Sequence, residues 1–574
     1  MKHVFLYAIG PVQDFIATAR RSRDLWYGSW MLSELSKAAA RKIDEISRDS
    51  LIFPSPIDKI SLMPGSDLNS PNKIAALIEC DPEMLANEVK AAVIARLHDL
   101  SSDALGQVKG TINYKLAVKQ IEELPEFYWA SVPLESDEKY STARDTAEAL
   151  LAARKTTRNF EQAIGTPVPK SSLDGARESV IPESEYPGIK ISGTAKQQKI
   201  KNLFVHYQAR QGERLSGVDL LKRLGNPDGS PKFPSTSDMA ALPFFERIEQ
   251  ESGYKKAGEL LEELQVLIPD HNSFGAAEGL VFENRLLDDE STSDFSKKLE
   301  SLLRRYAPEH SPMPYYAILA ADGDNMGSII DSQKTPDAHR NLSQALSLFA
   351  ERAAKIIKEY KGCPIYTGGD DVLSYLPMHT VLNCAKELTD EFRKVLDGFQ
   401  GEKDKKTVFP TLSVGISVNH HIESLADALE LARAAERKAK QVDEKNGLAI
   451  IVSKRSGADR AAYGSFNVLY QRFNALIELA RKKEISAGTA YELHELHRIL
   501  SDATIPSEGI AQEALRVVAR KKEGGGAGGI SEKLGNVFTQ WIKDEKIEVD
   551  DLATEMIIAR MFALYPASKK EVQQ

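Results

Sequence analysis

Cysteine is almost missing from this 574-residue sequence: only Cys80, Cys363 and Cys384 occur, far apart. Three scattered thiols cannot build a disulfide framework. No C-x-x-C pair exists to begin a structural zinc site, which needs about four N/S ligands, so no zinc is expected. Such cysteine usage fits a reducing, cytoplasmic setting. No apolar run approaches the ~20 residues of a membrane span. The opening MKHVFLYAIGPVQDF holds a short run cut by Gly10-Pro11, too short for a signal peptide and better suited to a first strand. A basic excess is also lacking, since the net charge is -9. A protein that grips nucleic acid unaided normally shows a positive balance, so RNA contact here requires a local patch or a partner protein. What is present is an ordinary globular composition, 42% hydrophobic and 27% charged. The length suits about three to five domains.

Residues 4–9 predict a buried strand, Gly10-Pro11 a turn, and 11–46 a long helical segment with proline in its first turn. Helices are expected at 82–100 and 138–154 and a strand at 126–134, giving a first α/β domain over 1–170. The stretch 165–200, rich in Pro, Ser, Gly and Lys, predicts a loop. A mainly helical middle domain covers 171–305, interrupted by the turn-rich 226–234. The clearest pattern lies in a third unit, 306–455. A strand (315–322) leads into a long helix ending near Tyr360, then the hairpin strands CPIYT and VLSYL flank two glycines. A helix (379–396), a strand (411–419), a helix (424–441) and a strand (448–454) follow. This βαββαβ order with an added tail is the ferredoxin-like arrangement of polymerase palms and nucleotide cyclases. Residues 456–574 predict a helical C-terminal domain with a mobile glycine loop at 524–529. The expected fold class is α+β multidomain: two ferredoxin-like (palm/nucleotide-cyclase) domains plus helical middle and C-terminal domains.

Two-metal phosphoryl transfer needs carboxylates from separate strands that meet at one point. Magnesium takes a few such oxygens together with substrate phosphates. Asp322 ends the first palm strand, and Asp370 and Asp371 sit at the tip of the neighbouring hairpin. Asp322, Gly323, Asp370 and Asp371 are therefore the candidate metal residues, with Mg²⁺ or Mn²⁺ as cofactor. Gly368 and Gly369 supply the tight turn and let a triphosphate approach the backbone. Asp324, Asn325, Met326 and Gly327 run toward the next helix, where free N–H groups could hold phosphates. Lys438 and Lys440, on the helix before the last strand, could reach the phosphates from the far side. Taken alone, Gly-Gly-Asp-Asp also suits a plain surface turn.

Six motifs, in order, resemble the large subunit of type III CRISPR effector complexes, specifically the Cmr (type III-B) branch. They are IGPVQDFIATARRSRDLWYGSWMLSEL (9–35), GERLSGVDLLKRL (212–224), KFPSTSDMA (232–240), ADGDNMG (321–327), YTGGDDVLSYLP (366–377), and ALELARAAERKAK with the following KRSG (428–440, 454–457). The resemblance implies an RNA-activated nucleotidyltransferase that uses ATP as substrate and makes an adenylate second messenger. The product would be cyclic oligoadenylate, or AMP joined to an acceptor such as S-adenosylmethionine. It implies partners as well: other subunits of the complex, and guide and target RNA through it. By the family pattern Asp322, Asp370 and Asp371 hold the metals, and Gly10, Pro11, Val12 and Gln13 help the first domain enclose nucleotide. Two departures stand out. The first α/β domain begins at residue 1, where many members carry an HD nuclease domain ahead of it, so no DNA cleavage is expected. Ser216 stands where relatives often have a zinc-binding cysteine. The pair His98-Asp99 is read as incidental, and Arg20, Arg21 and Arg23 beside Trp26, Tyr27 and Trp30 as an amphipathic helix. Two other functions compete: a diguanylate cyclase, disfavoured by Val372 after Asp371, and a catalytically silent scaffold, disfavoured by the intact aspartates.

Overall fold

The computed structural model describes residues 1–157, 167–227, 233–267, 278–282, 292–503, 505–520 and 531–567. The glycine loop expected at 524–529, and part of the turn-rich 226–234, lie outside these residues.

The first unit runs β1 (His3–Gly10), α1 (Gln13–Ala17), α2 (Ser22–Ile46), β2 (Leu51–Phe53), β3 (Lys73–Ile78), α3 (Pro82–Leu105), α4 (Tyr114–Glu122), β4 (Glu126–Pro133) and α5 (Tyr140–Thr156). Its sheet order is β2-β3-β1-β4. Strand alternation splits β1 between two cores. Phe5, Tyr7 and Ile9 face α2 and α3, while Val4, Leu6 and Ala8 face α5. The helix expected over 11–46 is broken between α1 and α2. There the Lys222 ammonium, deeply buried, donates to the carbonyls of Phe15 and Thr18.

The middle region holds α6 (Gly193–Tyr207), α7 (Gly217–Leu224), α8 (Thr236–Ser252), α9 (Tyr254–Leu267) and α10 (Thr292–Tyr306). Ser216 and Ser235 start α7 and α8, each in a reciprocal capping box with the aspartate three residues on. Arg223 on α7 forms a buried pair with Asp24 of α2. Arginines at the start of α2 and just before it turn the same way: Arg20 donates to the Ser172 carbonyl and Arg23 to that of Gly225. Trp26 stacks on Phe233 and Tyr27 is buried, so this helix face is interdomain core.

The palm runs β5 (Tyr315–Asp324), α11 (Met326–Asp331), α12 (Pro336–Glu359), β6 (Cys363–Gly368), β7 (Asp371–Leu376), α13 (Val381–Val395), β8 (Gly401–Lys403), β9 (Lys406–Val408), β10 (Thr411–His420), α14 (Leu425–Lys440), β11 (Gly447–Val452) and β12 (Arg460–Ser465). The large sheet reads β12-β11-β10-β5-β7-β6. Its four-strand portion β10-β5-β7-β6 repeats the order of the first sheet, so both units are ferredoxin-like. Ala317, Leu319 and Ala321 face one core with α12 and α13. Tyr316, Ile318 and Ala320 face another with α8 and α14. By the same alternation Asp322 and Asp324 point to the α14 side.

The helices α15 (Phe466–Arg481), α16 (Ala487–Asp502), α17 (Ser507–Arg520), α18 (Glu532–Thr539) and α19 (Val549–Ala563) complete the chain. Two differences from the sequence expectation matter here. Residues after 455 are not all helical, because β12 pairs antiparallel with β11 as the edge of the palm sheet. The palm core also continues into α15 and α19. The expected single helix ending near Tyr360 is two helices, because Thr335 caps α12 and Pro336 starts it.

Candidate active site

The hairpin that carries the aspartates is as tight as a hairpin can be. Gly368 pairs with Asp371, leaving only Gly369 and Asp370 between the strands. Gly369 takes φ +67, a conformation that favours glycine. A Cβ on Gly368 would overlap the Tyr366 ring, with the hydroxyl 2.2 Å away. The tip leans on the end of β5: the Gly323 amide donates to the Asp370 carbonyl at 3.1 Å. A Cβ on Gly323 would lie 2.8 Å from Asp370 Cβ and 3.0 Å from its Oδ2. Glycine at 323 is thus what leaves room for the Asp370 side chain against the end of β5.

The acidic tip is electrostatically strained. Crowding by the protein raises the pKa of Asp370. Asp371 sits at the exposed lip, yet protein packs densely beneath it. This desolvation, then Glu436 and Asp370, push its pKa up to about 7, with Arg433 opposing. The Tyr366 hydroxyl is held well above its ordinary pKa by burial and by the same two aspartates. Glu436 on α14 is raised by burial too. One cation answers this charge directly: Lys440, one turn beyond Glu436, is ion-paired with Asp322 and lies 3.9 Å from Glu436.

The sequence-predicted residues divide accordingly. Gly323, Gly368, Gly369, Asp370 and Asp371 meet where the hairpin tip leans on β5, and Lys440 reaches Asp322 on the same strand. Asp324 has its carboxylate engaged elsewhere. Its buried carboxylate accepts from Thr411 Oγ1 (2.8 Å), Ser413 Oγ (2.8 Å) and the Asn446 amide (3.0 Å), tying β5 to β10 and to the turn after α14. Met326 is a core side chain. Asn325 adopts φ 62, turning the chain from β5 into α11, and donates to the Phe409 carbonyl. Gly327 stands in open space. Lys438 points elsewhere, over the Tyr463 ring at 5.0 Å. Gly10 ends β1 opposite Glu126, and Pro11 and Gln13 follow it into α1.

The first unit touches the palm through residues that sequence reasoning missed. Asn69 donates to Thr367 Oγ1 on β6 (2.9 Å). Arg144 on α5 donates to the Ile330 carbonyl and to Asp331 on α11, each at 2.9 Å. The Tyr140 hydroxyl and His339 Nδ1 on α12 are hydrogen-bonded at 2.9 Å. A cleft of about 2260 Å³ runs along β6 between α2, α12 and the middle region, reaching Tyr366 and Thr367. Glu436 was also overlooked, although its spacing of four from Lys440 signals a shared helix face.

The donors suit a hard divalent cation, since carboxylate oxygens are what Mg²⁺ and Mn²⁺ take. Asp322, Asp370 and Asp371 would hold it. Among the described residues no three His, Cys, Asp or Glu side chains stand together as a ready-made metal cage.

Residues 315–449 match the family "Cas10/Cmr2, second palm domain", and residues 4–102 match "CRISPR-associated protein Cmr2, N-terminal". The CRISPR system Cmr subunit Cmr2 of Pyrococcus furiosus is 26% identical over 605 aligned residues, covering 88% of this chain and 67% of the relative. A type III-B Cmr-beta structure in the apo state shares the fold with a TM-score of 0.65 at 15% identity, covering 93% of this chain and 78% of that one. The Cmr-beta structure bound to cognate target RNA gives 0.63 at 16% identity, covering 93% and 80%. No described helix is long and apolar enough to cross a membrane. Both ferredoxin-like units are matched separately and in order, which supports a Cas10/Cmr2 large subunit.

Proposed function

We propose that this chain is the RNA-activated nucleotidyltransferase of a type III CRISPR effector, joining ATP through its palm hairpin into an adenylate second messenger. The observation that carries the reading is the seat of Asp370 on Gly323, at the end of the strand that also carries Asp322. Bound at these oxygens, a divalent metal would lower the pKa of an attacking hydroxyl and stabilise charge at phosphorus. The chain itself supplies orientation. Gly323 fixes where Asp370 stands, Tyr366 under Gly368 supports the turn, and Lys440 is within reach of an incoming polyphosphate. The open Gly327 leaves room for close backbone approach. Asn69, Arg144 and Tyr140 hold the first unit against β6, α11 and α12, so a rearrangement of that unit would be felt at the site. Other Cmr subunits, guide RNA and target RNA are the proposed partners. The negative balance of the chain favours RNA contact through the complex rather than by this subunit alone.

Within this reading the acceptor is a second ATP, giving cyclic oligoadenylate, or another molecule such as S-adenosylmethionine. The assembled complex, given labelled ATP, Mg²⁺ and target RNA with and without S-adenosylmethionine, separates the two. Labelled product that depends on S-adenosylmethionine assigns AMP conjugation; the same product without it assigns oligoadenylate. No labelled product in either arm contradicts the nucleotidyltransferase reading.

A further inference from the structure

We infer that Lys440 is an exchangeable counter-cation of the palm site: it occupies Asp322 until a polyphosphate draws it away, so that divalent metal and nucleotide bind together. The inference rests on the reading of the hairpin as a metal and nucleotide site, and adds an order of events to it. Two carboxylates, Asp322 and Glu436, border the Lys440 ammonium. Lys440 contacts Asp322 directly and Glu436 at 3.9 Å, so its ammonium supplies part of the charge a metal would bring.

The backbone that carries Lys440 is fastened. Asn446 just beyond it donates to the buried Asp324. Lys445 Nζ donates to the Lys440 carbonyl at 2.5 Å. A Cβ on Gly447 would lie 2.0 Å from the Ala439 carbonyl oxygen, so the chain closes tightly there. Any exchange is therefore a side-chain movement. Lysine suits this, being a point charge on a flexible four-carbon stem rather than a rigid fork, with its side chain partly exposed. A metal arriving alone meets Asp322 already paired. A metal arriving with a polyphosphate offers the ammonium a new anion in the same step.

This is thermodynamic coupling between two ligands, and it must be reciprocal. The test is Mn²⁺ binding followed by electron paramagnetic resonance, with and without a non-hydrolysable ATP analogue. The proteins are wild type, Lys440→Met, Lys440→Arg and Asp322→Asn, each checked for an unchanged melting profile. In the wild type the analogue should tighten Mn²⁺ binding roughly tenfold, within the usual range for coupled sites. Lys440→Met should bind Mn²⁺ roughly tenfold tighter than wild type without nucleotide, with the enhancement by analogue lost. Lys440→Arg should restore weak nucleotide-free binding. The inference is overturned if Lys440→Met binds Mn²⁺ no tighter than wild type, or if the analogue still enhances it fully. A different result sinks the underlying site reading: no protein, with or without analogue, binds Mn²⁺ better than Asp322→Asn.

Discussion

Gly323→Ala is the substitution that presses hardest on the geometry of the site. The added methyl would sit 2.8 Å from Asp370 Cβ and 2.7 Å from Met326 Cγ. Carbon atoms prefer about 3.5–4.0 Å, so roughly 1 Å of movement must be found. Met326 is locked in the palm core, whereas Asp370 stands in a two-residue turn. The tip should therefore give way. Overpacking of this kind costs about 1–3 kcal/mol. For a unit of about 150–250 residues that lowers Tm by roughly 2–4 °C per kcal/mol. The chemical cost should be larger, because misplacing a reacting group by about 1 Å loses on the order of 10²-fold in rate. Calorimetry and ATP turnover on the assembled complex measure both. Gly488→Ala is the control: it lies in α16 with nothing within 4 Å of the added methyl, so turnover should hold and Tm should stay or rise slightly. A Gly323→Ala complex that turns over ATP like wild type would refute the claim that this contact positions Asp370.

Other outcomes follow from the contacts around the site. Asp324→Asn should lower Tm by the equivalent of about 1.5–3 kcal/mol, since a charged acceptor serving Thr411, Ser413 and Asn446 is lost; an unchanged melting profile would contradict its clamping role. Arg144→Met should uncouple the first unit from α11, seen as a split or lowered calorimetric transition with reduced turnover, because Ile330 and Asp331 lose their buried partner. Glu246 on α8 gives a pH test. Burial alone would raise its pKa, but His379 and Lys361 hold it down to about 2 from the ordinary 4.5. A depressed carboxylate stabilises the fold above its unfolded pKa and loses that contribution as pH falls toward 2, here on the order of 3 kcal/mol. Wild type and Glu246→Gln should therefore differ in Tm at neutral pH and converge in acid; a constant gap from pH 7 to pH 3 would contradict this.

The palm was the most legible part of the chain because its strands are apolar, evenly spaced and punctuated by glycine. β1 and β4 were visible for the same reason. β3, Lys73–Ile78, went unread because its short apolar run follows a long turn-rich stretch with no periodic partner in view. β12 was hidden because Arg460–Ser465 is half polar, as an edge strand can be. For the site, residue type and spacing pointed to Asp322, Asp370, Asp371 and Lys440. They do not show that the Asp324 carboxylate is engaged within the fold, since both aspartates lie on one strand face. Only the pairing of β5 with β10 shows that Thr411 and Ser413 consume the second carboxylate. Lys438 and Lys440 likewise share a helix end, and it takes the placement of Tyr463 to separate them. Interdomain contacts such as Asn69–Thr367 join residues some 300 positions apart and leave no local signal.

The central claim is that the hairpin carboxylates perform nucleotidyl transfer. The most direct measurement is labelled-ATP turnover by the assembled, target-RNA-bound complex carrying Asp370→Ala and Asp371→Ala. The account predicts loss of the adenylate product with assembly and RNA binding intact. The same product at the wild-type rate would contradict it and leave the palm as a scaffold.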